Sequence, residues 1–330
     1  VSFRTDKGEK SLKIVVLDRD TLGRDISLNP ISSLGECVIY DNIEDEKISE
    51  ALKDANVCVV NKKVLGAENL KDAEGLKLIC LCATGFNNVD IDYCKRRNIK
   101  VRNIPDYCTQ SVCQHTFALL FSLMESISYY DDFVKSGEYS KSGIANHLGR
   151  PFYETAGKTW GIIGMGAIGR AVAKAAESFG ANVIYSSLSG KKRQENYKEV
   201  SLEELLKTSD IISIHSPLNE KTAKLINEKT LGMMKKTAVI VNVGRGGIVD
   251  SKALADAVDN GVISGAAIDV YPTEPPTLSD PLMKVRHPER FVFSPHIAWG
   301  AVEARERCVK KVSENIESYI RGEERNDVWK

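Results

Sequence analysis

Short, nearly continuous apolar runs alternate along the whole chain with segments of helical period, and few folds accommodate that pattern. Runs such as Leu78-Ile79-Cys80-Leu81-Cys82 and Ala238-Val239-Ile240-Val241 present no polar face, so each suits a strand covered on both sides. Strands of that kind joined by helices build parallel sheets with helices on both faces. The runs fall into two series. Strands are predicted over 13–17, 57–60, 78–82 and 100–101 in the first, with helices over 45–55 and 90–97. The second series has strands over 159–163, 182–185, 211–215, 238–243, 266–270 and 291–293. Its helices carry start and stop signals: Ser201 with Glu204 three residues on, and Ser251 before a helix that Gly261 closes. The predicted fold class is α/β, with two doubly wound parallel-sheet domains.

A long helix over 111–128 lies between the two series, and an amphipathic helix over 302–320 follows the last strand. No strand remains in the second domain for that final helix to serve, so it is expected to return to the first. The expected domains are therefore 12–104 with 299–330, discontinuous, and 105–298. Two chain crossings, near Ile104 and Ala298, would suit a hinge with a cleft between the lobes. The stretch 129–153 holds Tyr129, Tyr130, Tyr139 and Tyr153 with weak periodicity and no clear strand. An unstructured segment of that length in a compact domain usually has a task, and a dimerisation arm is expected.

Charge narrows the partners. Lys and Arg total 45, Asp and Glu total 45, and the formal net charge is zero. Nucleic-acid binding would want a basic surplus to neutralise phosphates, so it is not expected. The longest strongly apolar stretch, 117–124, is too short for a bilayer, and no secretory pattern opens the sequence; no membrane partner is expected, and a cytoplasmic protein is. Eight cysteines are scattered without a CxxC pair, which predicts reduced core fillers and no metal site.

Gly164-Met165-Gly166-Ala167-Ile168-Gly169 matches G-x-G-x-x-G, and context gives the match its weight. The apolar strand 159–163 runs into it and a helix over 167–179 leaves it. Gly164 permits the tight turn, Gly166 lets backbone approach a pyrophosphate, and Gly169 lets the helix press on the strand. The helix amides and dipole would meet the phosphate charge. A nicotinamide dinucleotide, NAD(P)(H), is therefore the expected cofactor. The acidic residue that would bond a ribose 2′-hydroxyl is missing at the end of the next strand, where Ser186 and Ser187 stand. Lys191, Lys192 and Arg193 follow. Small hydroxyls and cations accommodate a 2′-phosphate, so the reading leans to NADP(H); a solvated basic loop is the alternative.

Three further segments place polar residues just beyond apolar strands: Gly244-Arg245-Gly246, Asp269-Val270-Tyr271-Pro272-Thr273-Glu274 and Ser294-Pro295-His296. Ligands of open α/β sheets bind at that end. Arg245 can fork onto the carboxylate and carbonyl of a 2-oxo acid. His296 can carry the proton that moves to or from the substrate oxygen, and an adjacent Glu274 would orient its ring and favour the imidazolium.

At these residues the sequence resembles the D-isomer-specific 2-hydroxyacid dehydrogenases, over nearly the whole chain after about Leu12. Ala83-Thr84-Gly85-Phe86-Asn87-Asn88-Val89-Asp90 belongs to the resemblance too. His-Ile-Ala-Trp at 296–299 and Ser-Val-Cys-Gln-His-Thr at 111–116 are most similar to the glycerate dehydrogenase (hydroxypyruvate reductase) branch. The resemblance implies a flavodoxin-like substrate domain, a Rossmann cofactor domain and a homodimer. It implies that Arg245 orients substrate, that Glu274 and His296 form the acid/base pair, and that backbone at Thr84 and Gly85 holds the substrate carboxylate. Ala167, Ile168, Ser216, Pro217, Val243, Gly244 and Asp269 would line the cofactor, Asp269 near the nicotinamide amide, and Trp299 is counted with them. The implied reaction moves a hydride between NAD(P)H and the keto carbon of a small 2-oxo acid, giving a D-2-hydroxy acid. Hydroxypyruvate or glyoxylate is the first expected substrate. A D-lactate-type or longer-chain reductase is one alternative, and a dinucleotide-sensing corepressor-like protein is another.

Overall fold

The computed structural model describes residues 11–188 and 196–329. Lys191, Lys192 and Arg193 lie outside them. The described residues fall into two compact units, one ending at Cys108 and resuming at Gly300, the other spanning Thr109–Trp299. Among them no helix is long and apolar enough to cross a membrane.

The first unit holds β1 (Lys13–Val16), β2 (Glu36–Ile39), β3 (Val57–Val60), β4 (Leu78–Leu81) and β5 (Lys100–Arg102). They form one parallel sheet in the order β2-β1-β3-β4-β5, the flavodoxin-like order. The buried runs of β3 and β4 were legible because every residue in them is enclosed. Edge strand β2 was not expected: Glu36-Cys37-Val38-Ile39 is partly exposed, and its short apolar run, Cys37-Val38-Ile39, was passed over. Helix Val302–Ile320 packs on β4 through a buried face that includes Ala304, Cys308, Val312 and Ile316. Arg102 fastens the chain's end. Only 2% exposed, it donates Nε to Asp327 at 2.8 Å, Nη1 to the Asn315 carbonyl at 2.8 Å and Nη2 to the Glu323 carbonyl at 2.6 Å. All eight cysteines are free, and all but Cys37 are buried.

The second unit holds β6 (Thr159–Ile163), β7 (Asn182–Ser186), β8 (Lys198–Glu199), β9 (Ile211–Ile214), β10 (Val239–Asn242), β11 (Gly265–Ile268) and β12 (Phe291–Phe293). All pair in parallel, in the order β12-β11-β10-β9-β6-β7-β8. The order reverses between β6 and β9, and ligands of such sheets bind at that switch point, beyond the carboxyl ends of the strands. The two-residue β8, exposed on the sheet's edge, left no trace in the apolar pattern.

Three helical boundaries differ from expectation. The helix expected over 111–128 runs Thr109–Met124, because Ser126 adopts a left-handed backbone (φ 51°) and starts a second helix, Ile127–Lys135. The stretch 129–153 therefore carries helical structure, including Glu138–Ser142, where an unstructured arm was expected. The two glycines that bound that short helix, Gly137 and Gly143, both have positive φ, and such closely spaced stops hide a helical period. Asp250, not Ser251, caps helix Ser251–Asp259, accepting from the amides of Lys252 and Ala253. Ser201 caps Leu202–Thr208 as expected.

Candidate active site

The glycine turn joins β6 to helix Ala167–Ser178, and each glycine has a distinct steric reason. Gly164 has φ +99°, and a Cβ there would come within 2.4 Å of Ser216 Oγ. Its amide donates to the Ser186 carbonyl at 3.0 Å, which ties the turn to the end of β7. A Cβ on Gly169 would meet the Gly164 carbonyl oxygen at 2.2 Å, so the helix seats directly on the turn. Gly166 is different: a Cβ there meets nothing within 4 Å. Backbone at the start of a twelve-residue helix thus borders open space, with the helix's first amides at hand. That is what a pyrophosphate requires, and the residues present fit a dinucleotide.

Ser186 and Ser216 flank the turn, 3% and 6% exposed. Ser216 Oγ donates to the Ile163 carbonyl at 3.2 Å, and Pro217 opens a loop closed by Thr222 Oγ1 on its carbonyl at 2.7 Å. Beside them, Trp160 Nε1 donates to Ser213 Oγ (2.9 Å), which lies 3.0 Å from His215 Nε2. Burial pushes the His215 pKa down to about 3. The unfolded ring takes up a proton near pH 6.5 and the folded ring does not, so stability is lost as pH falls from about 6.5 towards 3. The loss approaches about 4 kcal/mol by pH 3. A His215→Gln variant is therefore expected to lose less stability than the parent between pH 6.5 and 4, read from denaturant unfolding at stepped pH. Parallel pH curves would contradict this.

After β10 the chain turns through Val243-Gly244-Arg245-Gly246. Asn242, 1% exposed, holds the turn from within: its Oδ1 accepts from the Gly244 amide (3.1 Å) and its Nδ2 donates to the Arg245 carbonyl (3.1 Å). Arg245 Nη1 rests on the Gly244 carbonyl at 2.7 Å. Gly246 presses on the backbone of Tyr271, where a Cβ would lie 1.9 Å from the carbonyl carbon. Tyr271 in turn donates its amide to Glu274 Oε1 (3.1 Å) and its hydroxyl to the Ser294 carbonyl (3.3 Å). Burial raises its pKa to about 12, so the phenol stays a donor. The loops of Arg245, Glu274 and His296 are thus contiguous.

Glu274 Oε2 lies 2.5 Å from His296 Nδ1, with the two side chains 31% and 21% exposed. His296 has a left-handed backbone, φ 56°. Its amide donates to the Asp269 carbonyl oxygen at 2.8 Å, and Trp299 Nε1 donates to its carbonyl at 3.0 Å. The resemblance places Asp269 and Trp299 against the cofactor, and the structure shows both bracing the loop of His296. The Asp269 carboxylate is fully buried and accepts from Ser294 Oγ (2.6 Å) and the amides of Ile297 (2.8 Å) and Ala298 (3.0 Å). The carboxylate thus holds the loop that carries His296, whatever else it meets. No role was expected for Asn242, Ser294 or His115, whose Nε2 lies 3.0 Å from Ser294 Oγ. Their signal was present: polar residues inside apolar strand ends and on a buried helix face.

In the first unit, Thr84 Oγ1 donates to the Ile104 carbonyl (3.1 Å) and the Thr84 carbonyl accepts from Asn103 Nδ2 (2.7 Å). The hydroxyl is engaged, so the backbone of Thr84 and Gly85 is what that turn can offer a ligand. Lys191 lies outside the described residues.

Residues 117–298 match the D-isomer specific 2-hydroxyacid dehydrogenase family, NAD binding domain. The chain is 35% identical to the glycerate dehydrogenase of Methylorubrum extorquens over 317 residues, 96% of this chain and 98% of that one. It is 40% identical to the glyoxylate reductase of Thermococcus litoralis over 285 residues, 84% and 83% of the two chains. Among solved structures it is similar to an acyclic imino acid reductase in complex with NADPH and D-Arg, with a TM-score of 0.85, 29% identity, and 96% and 100% of the chains covered. With its glycine turn and the contiguous loops of Arg245, Glu274 and His296, the chain belongs to the D-isomer specific 2-hydroxyacid dehydrogenase family, NAD(P)-dependent oxidoreductases that interconvert 2-oxo and D-2-hydroxy acids.

Proposed function

We propose that this protein reduces hydroxypyruvate or glyoxylate to the corresponding 2-hydroxy acid, with residues 12–104 and 299–330 as its substrate domain and 105–298 as its cofactor domain. The observation that carries this reading is the 2.5 Å contact of Glu274 with His296 Nδ1, on a loop contiguous with that of Arg245. The bound nicotinamide supplies the hydride. With Nδ1 engaged by Glu274, Nε2 of His296 is the nitrogen that hands a proton to the substrate oxygen, and the carboxylate compensates the imidazolium. Arg245 leaves the Gly244 carbonyl to fork onto the substrate and stabilises the charge developing on that oxygen. Backbone of Thr84 and Gly85 holds the substrate carboxylate. Glycerate dehydrogenase and glyoxylate reductase relatives support the small substrate. Side-by-side turnover of hydroxypyruvate, glyoxylate and pyruvate tests it: preference for pyruvate would move the assignment to a D-lactate-type enzyme.

The cofactor we assign is NADPH in preference to NADH. Ser186, at the end of β7, puts no negative charge where a 2′-phosphate would lie, and a similar fold was solved with NADPH. Gly164, Gly166, Ala167, Ile168, Gly169, Ser186, Ser187, Ser216, Pro217, Val243, Gly244, Asp269 and Trp299 are the proposed cofactor wall. Ser186→Asp is expected to shift the ratio of kcat/KM for NADPH over NADH towards NADH by about a hundredfold, since a buried carboxylate repels the phosphate and accepts from the ribose hydroxyl. An unchanged ratio would remove Ser186 from cofactor choice.

The arm 129–153 is proposed as a homodimer contact. Ile144, Leu148, Phe152 and Tyr153 expose 65%, 81%, 49% and 63% of their surface there, an apolar cluster that a second copy would cover. Sedimentation of a Leu148→Glu variant as a monomer would support that interface. Eight free thiols suit a reducing compartment, and the cytoplasm is the assigned location.

A further inference from the structure

His296 sits in a backbone conformation that side chains other than glycine rarely adopt, so something must hold it there. The holder is Asp269, whose main-chain oxygen takes the His296 amide and whose buried carboxylate takes the next two amides and Ser294 Oγ. No residue assigned to the reaction accounts for what stands behind it. His115, on helix Thr109–Met124, places Nε2 3.0 Å from Ser294 Oγ and 3.7 Å from Asp269 Oδ1. The hydroxyl has one proton, and a carboxylate only accepts, so that proton belongs to Asp269. His115 must then donate from Nε2 to Ser294. The chain of donors runs from His115 to Ser294 to Asp269, and so to the loop. The other end is fixed by the same helix, where Ser111 Oγ donates to the Ala298 carbonyl at 2.6 Å.

We propose that His115 is a positioning residue, which acts through Ser294 and Asp269 to keep His296 in register with Glu274. The inference rests on the reading of His296 as the proton carrier. His115 touches neither reacting atom. Its removal therefore lowers the fraction of turnovers in which the proton is in place, and leaves substrate and cofactor binding alone.

The test compares His115→Ala, His115→Gln and Ser294→Ala with the unaltered enzyme, using NADPH and hydroxypyruvate. His115→Ala is expected to lower kcat about tenfold, with KM for hydroxypyruvate and the Kd for NADPH within about twofold. His115→Gln, which keeps a donor on a side chain of similar reach, is expected to regain at least half of the lost rate. Ser294→Ala interrupts the same chain from within and is expected to match His115→Ala; the double variant is expected to be no worse than either alone. Unaltered kcat in His115→Ala overturns the proposal, as does His115→Gln being equally impaired. Should His115→Ala fail to fold, unaltered kcat in Ser294→Ala overturns it alone. His296→Asn in the same assay separates the two claims: full activity there refutes the proton-carrier reading itself.

Discussion

His296→Asn is expected to lower kcat for 2-oxo acid reduction by about a thousandfold, the range lost when a positioned proton donor is removed. Dinucleotide affinity is expected to stay within about twofold, because the glycine turn 164–169 lies on a separate loop. Asparagine is the informative replacement. It tolerates the left-handed backbone that His296 occupies at φ 56°, whereas alanine would add about 1 kcal/mol or more of conformational cost and blur the reading. Its amide can still face Glu274 but carries no titrating proton. Steady-state oxidation of NADPH gives the rate, and quenching of tryptophan fluorescence gives the affinity. A loss confined to KM would mean that His296 binds substrate and does not move a proton.

The second large effect concerns the helix start. Gly166→Val is expected to weaken dinucleotide binding at least a hundredfold, about 2.7 kcal/mol, with thermal stability almost unchanged. Gly166 has φ −84° and ψ −165°, an extended geometry that valine adopts readily, and its Cβ position borders empty space. Nothing in the folded protein objects to a side chain there; only a phosphate would. Gly164→Ala provides the contrast. At φ +99°, with Ser216 Oγ 2.4 Å from the new carbon, it should destabilise the fold whether or not cofactor is present. Isothermal titration with NADPH beside thermal melts of both variants separates the two cases. Undiminished binding by Gly166→Val would remove the turn from the cofactor site.

Much of this arrangement was legible because its physics is local. Strands enclosed on both faces are mostly apolar, and β3, β4, β9, β10 and β11 declared themselves in that way. The glycine turn was legible because no other residue passes through φ +99° against a packed serine. Edge strand β8, Lys198-Glu199, was not, since an edge exposed to water needs no apolar signature, and the short run of β2 was too brief to stand out. The helices of the 127–142 stretch were masked by glycines at 137 and 143 and by the left-handed Ser126. Roles that depend on distant partners were the least visible. The resemblance sets Asp269 beside the cofactor, and only the fold shows that its carboxylate holds Ser294, Ile297 and Ala298. His115 meets Ser294 across a separation of 179 residues, which no spacing rule could suggest.

If the Glu274–His296 pair, beside Arg245, turns a bound dinucleotide into a reductant for a small 2-oxo acid, NADPH oxidation with hydroxypyruvate reveals it. The rate is measured for the unaltered protein and His296→Asn, with both shown to bind NADPH. Saturable turnover in the first, lost about a thousandfold in the second, is the expected result. Tight NADPH binding with no turnover of hydroxypyruvate, glyoxylate or pyruvate would contradict the account and point instead to a protein that senses the dinucleotide.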